Sequence, residues 1–302
     1  MKPGISTQVG AIKLERPTML ASGILGISLD VFARLYKEGA GALVTKSLSK
    51  EPWEGYANPT LIGVKAGYLN AVGLSNPGAP YFAKMISSNK TIPIIVSLVG
   101  SVEEDFTFMI KQFENVKILG YELNLSCPHV AKVGLEVGDD PELVHKIVKS
   151  VKSHSKVPVI AKVGLGSSDY LETVRVACEA GIDAITAINT VRAMAIDVET
   201  TRPILSNKIG GLSGPAIKPI AVRCVYEISS KFDIPIIGCG GVSSWEDAIE
   251  FILAGSSAVQ IGSALGDKWI GVFSEINNGI SKYMEKKGFT KIKEMVGSAK
   301  RF

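Results

Sequence analysis

The chain has 302 residues, 46% of them hydrophobic and 21% charged, which is enough apolar material for one sizeable core and excludes a disordered polymer. A net charge of +4, with basic residues dispersed along the chain and not gathered into a stripe, argues against nucleic-acid binding. The four cysteines (Cys127, Cys178, Cys224, Cys239) form no CxxC pair, and no stretch approaches the ~18 apolar residues of a membrane span, so a metal-free cytoplasmic protein without a disulfide framework is expected.

Residues 5–14 read as an opening hairpin with Val9 and Gly10 near its turn. Short β-branched runs then alternate with segments of helical period. Strands are predicted over 19–21, 42–45, 94–99, 121–125, 159–163, 184–188, 236–238 and 258–261. Helices are predicted over 29–37, 103–113, 141–153, 170–180, 217–231 and 245–254. Near-continuous apolar strands separated by amphipathic helices imply a parallel sheet covered by helices. Eight of them suit a closed α/β structure, a (β/α)8 TIM barrel, over an open doubly wound sheet. The hairpin then caps the barrel bottom, and residues 1–302 form one domain. Two connections, 47–79 and 189–214, are long βα loops on the face where such barrels place their chemistry.

Glycine-rich turns follow the last two strands: Gly238-Cys239-Gly240-Gly241-Val242 and Ile261-Gly262-Ser263-Ala264. A lone turn of this kind means only a tight bend. Two in the last two βα positions point to a phosphate held by bare backbone N–H groups and a helix N-terminus. A third segment, Gly210-Gly211-Leu212-Ser213-Gly214, precedes a helix opened by Pro215 and adds donors. These turns do not by themselves choose a flavin over a phosphorylated sugar.

The fourth strand runs into Asn124-Leu125-Ser126-Cys127-Pro128-His129. It brings an amide, a hydroxyl and a thiol to the barrel mouth, and a thiol beside a labile proton can act as a general base. Cys178 and Cys224, on predicted helices, read as small buried hydrophobes. Lys46, after the second strand, and Lys162, within the fifth, are costly to bury without a partner. They point to an anionic ligand in the barrel mouth, or to an ion pair with Glu122. Asn70, Asn124 and Asn189 offer three amides to one polar ring bearing N–H and C=O groups.

Several stretches carry a family likeness over nearly the whole chain. They are Leu20-Ala21-Ser22-Gly23, Tyr68-Leu69-Asn70-Ala71-Val72-Gly73-Leu74, Asn76-Pro77-Gly78 and Asn124-Leu125-Ser126-Cys127-Pro128. Ile188-Asn189-Thr190, Arg202-Pro203-Ile204-Leu205, the run from Gly210 to Pro219, and Gly240-Gly241-Val242 continue it. On these motifs the chain resembles the class 1 dihydroorotate dehydrogenases, most of all the heteromeric class 1B catalytic subunit.

The resemblance implies FMN as cofactor and oxidation of dihydroorotate to orotate in pyrimidine biosynthesis. Cys127 would take the C5 proton while a hydride leaves C6 for flavin N5. Lys46, Asn70, Asn124, Asn189 and Thr190 would hold the substrate. Ala21, Ser22, Lys46, Ser47, Asn124 and Ile188 would line the flavin, and Lys162 would lie at its N1/O2 edge. Gly214, Gly240, Gly241, Gly262 and Ser263 would cradle the phosphate. A cysteine base differs from the serine of the membrane-attached class 2 enzymes. His129 stands where the family usually has asparagine. The dihydropyrimidine dehydrogenases share that Ser-Cys-Pro-His pattern, which makes uracil or thymine the alternative substrate class. With no GxGxxG turn and no cysteine cluster in the chain, the class 1B likeness implies a dimer of this chain joined by an FAD/[2Fe-2S] subunit that passes electrons to NAD, a heterotetramer.

Overall fold

Strands that are apolar on both faces need cover on both, and a closed ring with helices outside provides it. The computed structural model describes residues 3–126, 136–166 and 169–301. The chain begins with β1 (Thr7–Val9), β2 (Ile12–Leu14), β3 (Thr18–Leu20), α1 (Leu29–Lys37) and β4 (Ala42–Val44). There follow β5 (Leu61–Val64), β6 (Gly67–Asn70), α2 (Ala79–Ile86), β7 (Ile94–Leu98), α3 (Glu103–Gln112) and β8 (Gly120–Asn124). Next come α4 (Pro141–His154), β9 (Val159–Val163), α5 (Tyr170–Glu179), β10 (Ala184–Ala187), β11 (Val191–Met194), β12 (Ile196–Asp197), β13 (Arg202–Pro203) and β14 (Ile209–Ser213). The chain closes with α6 (Lys218–Lys231), β15 (Ile236–Cys239), α7 (Trp245–Ala254), β16 (Ala258–Ile261), α8 (Ala264–Lys268) and α9 (Val272–Lys287).

β3, β4, β7, β8, β9, β10, β15 and β16 pair in that order, all parallel, and β16 closes on β3. This is the (β/α)8 barrel expected from the alternating pattern. Local chemistry sets several helix starts. Asp140 accepts a hydrogen bond from Leu143 N ahead of α4, whose first residue is Pro141. Ser244 and Asp247 cap α7 reciprocally.

Alternation along the barrel strands divides the interior into layers. At the bottom, Met19, Val44, Ile95, Ile160, Ala184, Ile237 and Ala258 meet Val9, Ile12 and Leu14 of the opening hairpin in one apolar cluster. Thr7 Oγ1 donates to Ser257 O at 2.8 Å, tying the hairpin to the chain just before β16. The hairpin therefore plugs the bottom, as expected. One step higher the inward positions turn polar, with Ser97, Glu122, Lys162, Thr186 and Gln260 all buried.

The two long connections hold strands of their own. β11, β14, β6 and β5 form a four-stranded antiparallel sheet in that order over the top of the barrel. Leu69, Ala71 and Leu205 form its small core, with Ile62, Val64 and Ala193 packed against it. Its strands are short, three of the four contain glycine, and the central pairing of β6 with β14 joins residues more than a hundred positions apart, so periodicity alone does not reveal the sheet. Ile12→Ala should cost about 2–4 kcal/mol of folding stability by opening a cavity in the bottom plug. Urea denaturation checks this.

Candidate active site

β4 ends at the barrel mouth and delivers Lys46 and Ser47; β8 delivers Asn124, and the residues after β10 deliver Asn189 and Thr190. A hydrogen-bonded chain joins Ser47, Asn124, Asn189 and Thr190. Ser47 Oγ lies 3.3 Å from Ser22 Oγ and 3.0 Å from Ser97 Oγ. Asn124 Nδ2 donates to Ser47 Oγ at 3.1 Å, and Asn124 Oδ1 accepts from Asn189 Nδ2 at 3.3 Å and from Ser126 N at 3.1 Å. Asn189 Oδ1 accepts from Thr190 N at 2.8 Å. Asn70 arrives from the overlying sheet, where its Nδ2 donates to Gly211 O at 3.0 Å. Gly211 also abuts Thr190: a Cβ there would lie 2.1 Å from Thr190 Oγ1, so only glycine lets the sheet settle this close. Asn124, Asn189, Thr190 and Asn70 thus gather around one rim.

Lys46 is half-buried at the same rim, and its backbone N–H donates to Gly26 O at 3.0 Å. Burial holds its ammonium below the usual lysine range. An anion arriving beside it would gain a nearby charge in a partly desolvated setting.

Beneath the rim, Lys162 is buried and its Nζ lies 3.1 Å from Gln260 Oε1 and 3.9 Å from Glu122 Oε1. Glu122 Oε2 accepts from Gln260 Nε2 at 2.6 Å and from Thr186 Oγ1 at 2.9 Å. Burial works against the Lys162 charge, while Cys239 and Glu122 favour it, and the balance lifts the lysine above its ordinary value. Burial pushes the Cys239 thiol up as well.

The glycine-lined end is built from three strand exits. Gly241, at φ 76°, would place a Cβ 2.7 Å from Gly214 O and 2.8 Å from Lys218 Cβ, so this close approach of two backbones needs glycine. Gly214 leads through Pro215 into α6. On the neighbouring exit, Gly262 lies against Ala21, and Ser263 begins α8. The tip of the β5–β6 hairpin closes over this end: Tyr68 Oη donates to Asp267 Oδ1 at 2.7 Å. A cradle of bare backbone at two adjacent strand exits, beside a cationic rim, suits a phosphate-bearing cofactor.

The sequence matches the model of the dihydroorotate dehydrogenase family over residues 5–284. The chain belongs to the dihydroorotate dehydrogenase family. It is 48% identical over 298 residues to the dihydroorotate dehydrogenase B (NAD(+)) catalytic subunit of Pyrococcus furiosus, covering 98% of this chain and 99% of that protein. The corresponding subunit of Pyrococcus abyssi is 47% identical, with 95% of this chain and 96% of that protein covered. That of Methanocella arvoryzae is 45% identical, with 98% of each covered.

Within this family frame, the structure gathers Ser22, Lys46, Ser47, Asn70, Asn124, Asn189 and Thr190 at the rim. Lys162 lies below it, and Ala21, Gly214, Gly240, Gly241, Gly262 and Ser263 lie at the glycine-lined end. Ile188 is buried, and its N–H donates to Cys239 O at 2.7 Å. Cys127 and His129 lie outside the described residues. Cys224 is buried in α6 and Cys178 partly buried in α5, both with thiols pushed up by burial. The ion pair weighed for Lys162 is present with Glu122, at 3.9 Å. Sequence reasoning missed Gln260, Thr186 and Tyr68. Gln260 had a visible signal, a polar residue at an inward position of an apolar strand; Tyr68 had none, because its partner Asp267 is 199 residues away. Gly241→Ala should destabilise the fold by about 1–3 kcal/mol, since alanine must hold a left-handed conformation against backbone. Thermal unfolding without ligand checks this.

Proposed function

We propose that this chain is the FMN-binding catalytic subunit of a class 1B dihydroorotate dehydrogenase and oxidises dihydroorotate to orotate in de novo pyrimidine biosynthesis. The observation that carries it is the rim itself: a half-buried lysine without a hydrogen-bond or ion-pair partner for its amine among the described residues, on the rim where Asn124 and Asn189 hydrogen-bond each other and Asn70 is held by Gly211, the neighbour of Thr190. Near full-length identity to proteins named for this activity supports the same substrate.

Lys46 meets the substrate carboxylate, and Asn70, Asn124, Asn189 and Thr190 present donors and acceptors to the imide edge. Cys127, which follows the Asn124 strand end by three residues, removes the C5 proton as general base. Ala21, Ser22, Ser47 and Ile188 line the isoalloxazine, and Lys162 sits at its N1/O2 edge. Gly214, Gly240, Gly241, Gly262 and Ser263 receive the phosphate through backbone N–H groups. When bound, FMN supplies the two-electron acceptor for the C6 hydride. The relatives' names specify NAD(+) and a catalytic subunit, which supports a dimer of this chain served by a separate FAD/[2Fe-2S] subunit. No helix among the described residues is long and apolar enough to cross a membrane, in keeping with a cytoplasmic enzyme. A dihydropyrimidine lacking the carboxylate would leave Lys46 without its anion, which disfavours uracil or thymine as substrate.

Purified protein loaded with FMN should be yellow and lose its visible absorbance anaerobically with dihydroorotate but not with dihydrouracil; the reverse preference, or no bleaching, overturns the proposal. Cys127→Ala should slow that bleaching at least about 100-fold near neutral pH, read by stopped-flow absorbance. Because burial lowers the pKa of Lys46, its charge is present at low pH and is lost on raising the pH earlier than from a free lysine. Orotate affinity should therefore weaken through that range, and Lys46→Met should remove the dependence in a binding titration.

A further inference from the structure

Glu122 is fully buried inside the barrel, and no step assigned to the rim uses it. A carboxylate there is expensive unless it is paired and hydrogen-bonded. Its oxygens are treated unequally. Oε2 takes both neutral donors, Thr186 from β10 and Gln260 from β16, whereas Oε1 has no hydrogen-bond donor in the structure and faces Lys162 Nζ at 3.9 Å. Gln260 bridges the two charges, giving Nε2 to Glu122 and accepting Lys162 Nζ through Oε1. This amide can do both only in one orientation, so carboxylate, amide and ammonium are locked in sequence.

We propose that Glu122 is the positioning residue for Lys162: pinned by Thr186 and Gln260, its carboxylate holds the lysine charged inside the barrel and keeps the ammonium in place for the cofactor. The titratable groups acting on Lys162 are Glu122 from β8 and Cys239 from β15; the partners from β10 and β16 are neutral. With the Cys239 thiol pushed up by burial, Glu122 is the negative charge that offsets the burial of the lysine. The part of this inference that concerns the cofactor rests on the flavin site proposed above.

The test uses the full chain as purified, labelled with [13C]lysine, with the Lys162 signal assigned by its loss in Lys162→Met. In Glu122→Gln the Lys162 Cε resonance should titrate at clearly lower pH than in the wild type, because a buried ammonium has lost its counter-charge. Glu122→Asp keeps the charge but withdraws it by one methylene, should give an intermediate shift, and carries the test if Glu122→Gln does not fold. A purely structural Glu122 would lower the unfolding temperature and leave the Lys162 titration where it is in the wild type. That outcome, in whichever variant folds, overturns the proposal. With FMN bound, the midpoint potential of Glu122→Gln plotted against pH should bend at the pH of its lysine titration, and Glu122→Gln/Lys162→Met should lose the bend. A shifted lysine titration without the bend would uphold Glu122 and instead remove Lys162 from the flavin edge.

Discussion

A lysine cannot be left alone in the interior of a closed barrel: removing its charge from water costs several kcal/mol unless opposite charge and hydrogen bonds meet it. Here the demand is met by three strands at once, because Glu122, Gln260 and Thr186 reach the same level of the interior from β8, β16 and β10. The barrel registers make this possible, setting Thr186 opposite Lys162 and Asn124 opposite Lys162 on the two neighbouring strands. The charged layer therefore sits between an apolar floor and the amide-lined rim.

Both ends of the barrel are covered by parts of the chain outside it. The opening hairpin seals the floor with Val9, Ile12 and Leu14, which excludes water from below. At the other end the sheet of β11, β14, β6 and β5 brings Asn70 and Gly211 over the rim, and Tyr68 fastens the β5–β6 tip to α8 beside the glycine-lined exits. One segment of sheet thus touches both the amide cluster and the glycine cradle.

The barrel was legible because its signals are local and repeated. Each strand is a short β-branched run, several helices begin at capping residues such as Ser244 and Asp140, and several strand ends are marked by glycine. The polar groups of the rim, of the layer below it and of the glycine-lined end are legible through chemistry out of place: amides at strand ends, a lysine in an apolar strand, paired glycines after the last two strands. The overlying sheet was not, because its register depends on pairing Asn70 with Gly211 across a separation of 141 residues. Gln260 and Thr186 were passed over for a related reason, since an isolated polar residue in a strand says nothing about what faces it across the barrel.

Sequence alone determined the alternation of strand and helix, the family, and the identity of the polar groups that the strand ends carry to the rim. All of these follow from residue type and spacing along the chain. Tertiary structure alone decided which groups meet: that Glu122 gives one oxygen to neutral donors and the other to Lys162, that Asn124 is shared by Ser47 and Asn189, and that Thr190 and Asn70 close on Gly211. The reason is geometric. Closing the barrel turns residues far apart in sequence into neighbours at a fixed height, and hydrogen bonds of about 3 Å form only once that height and register are set.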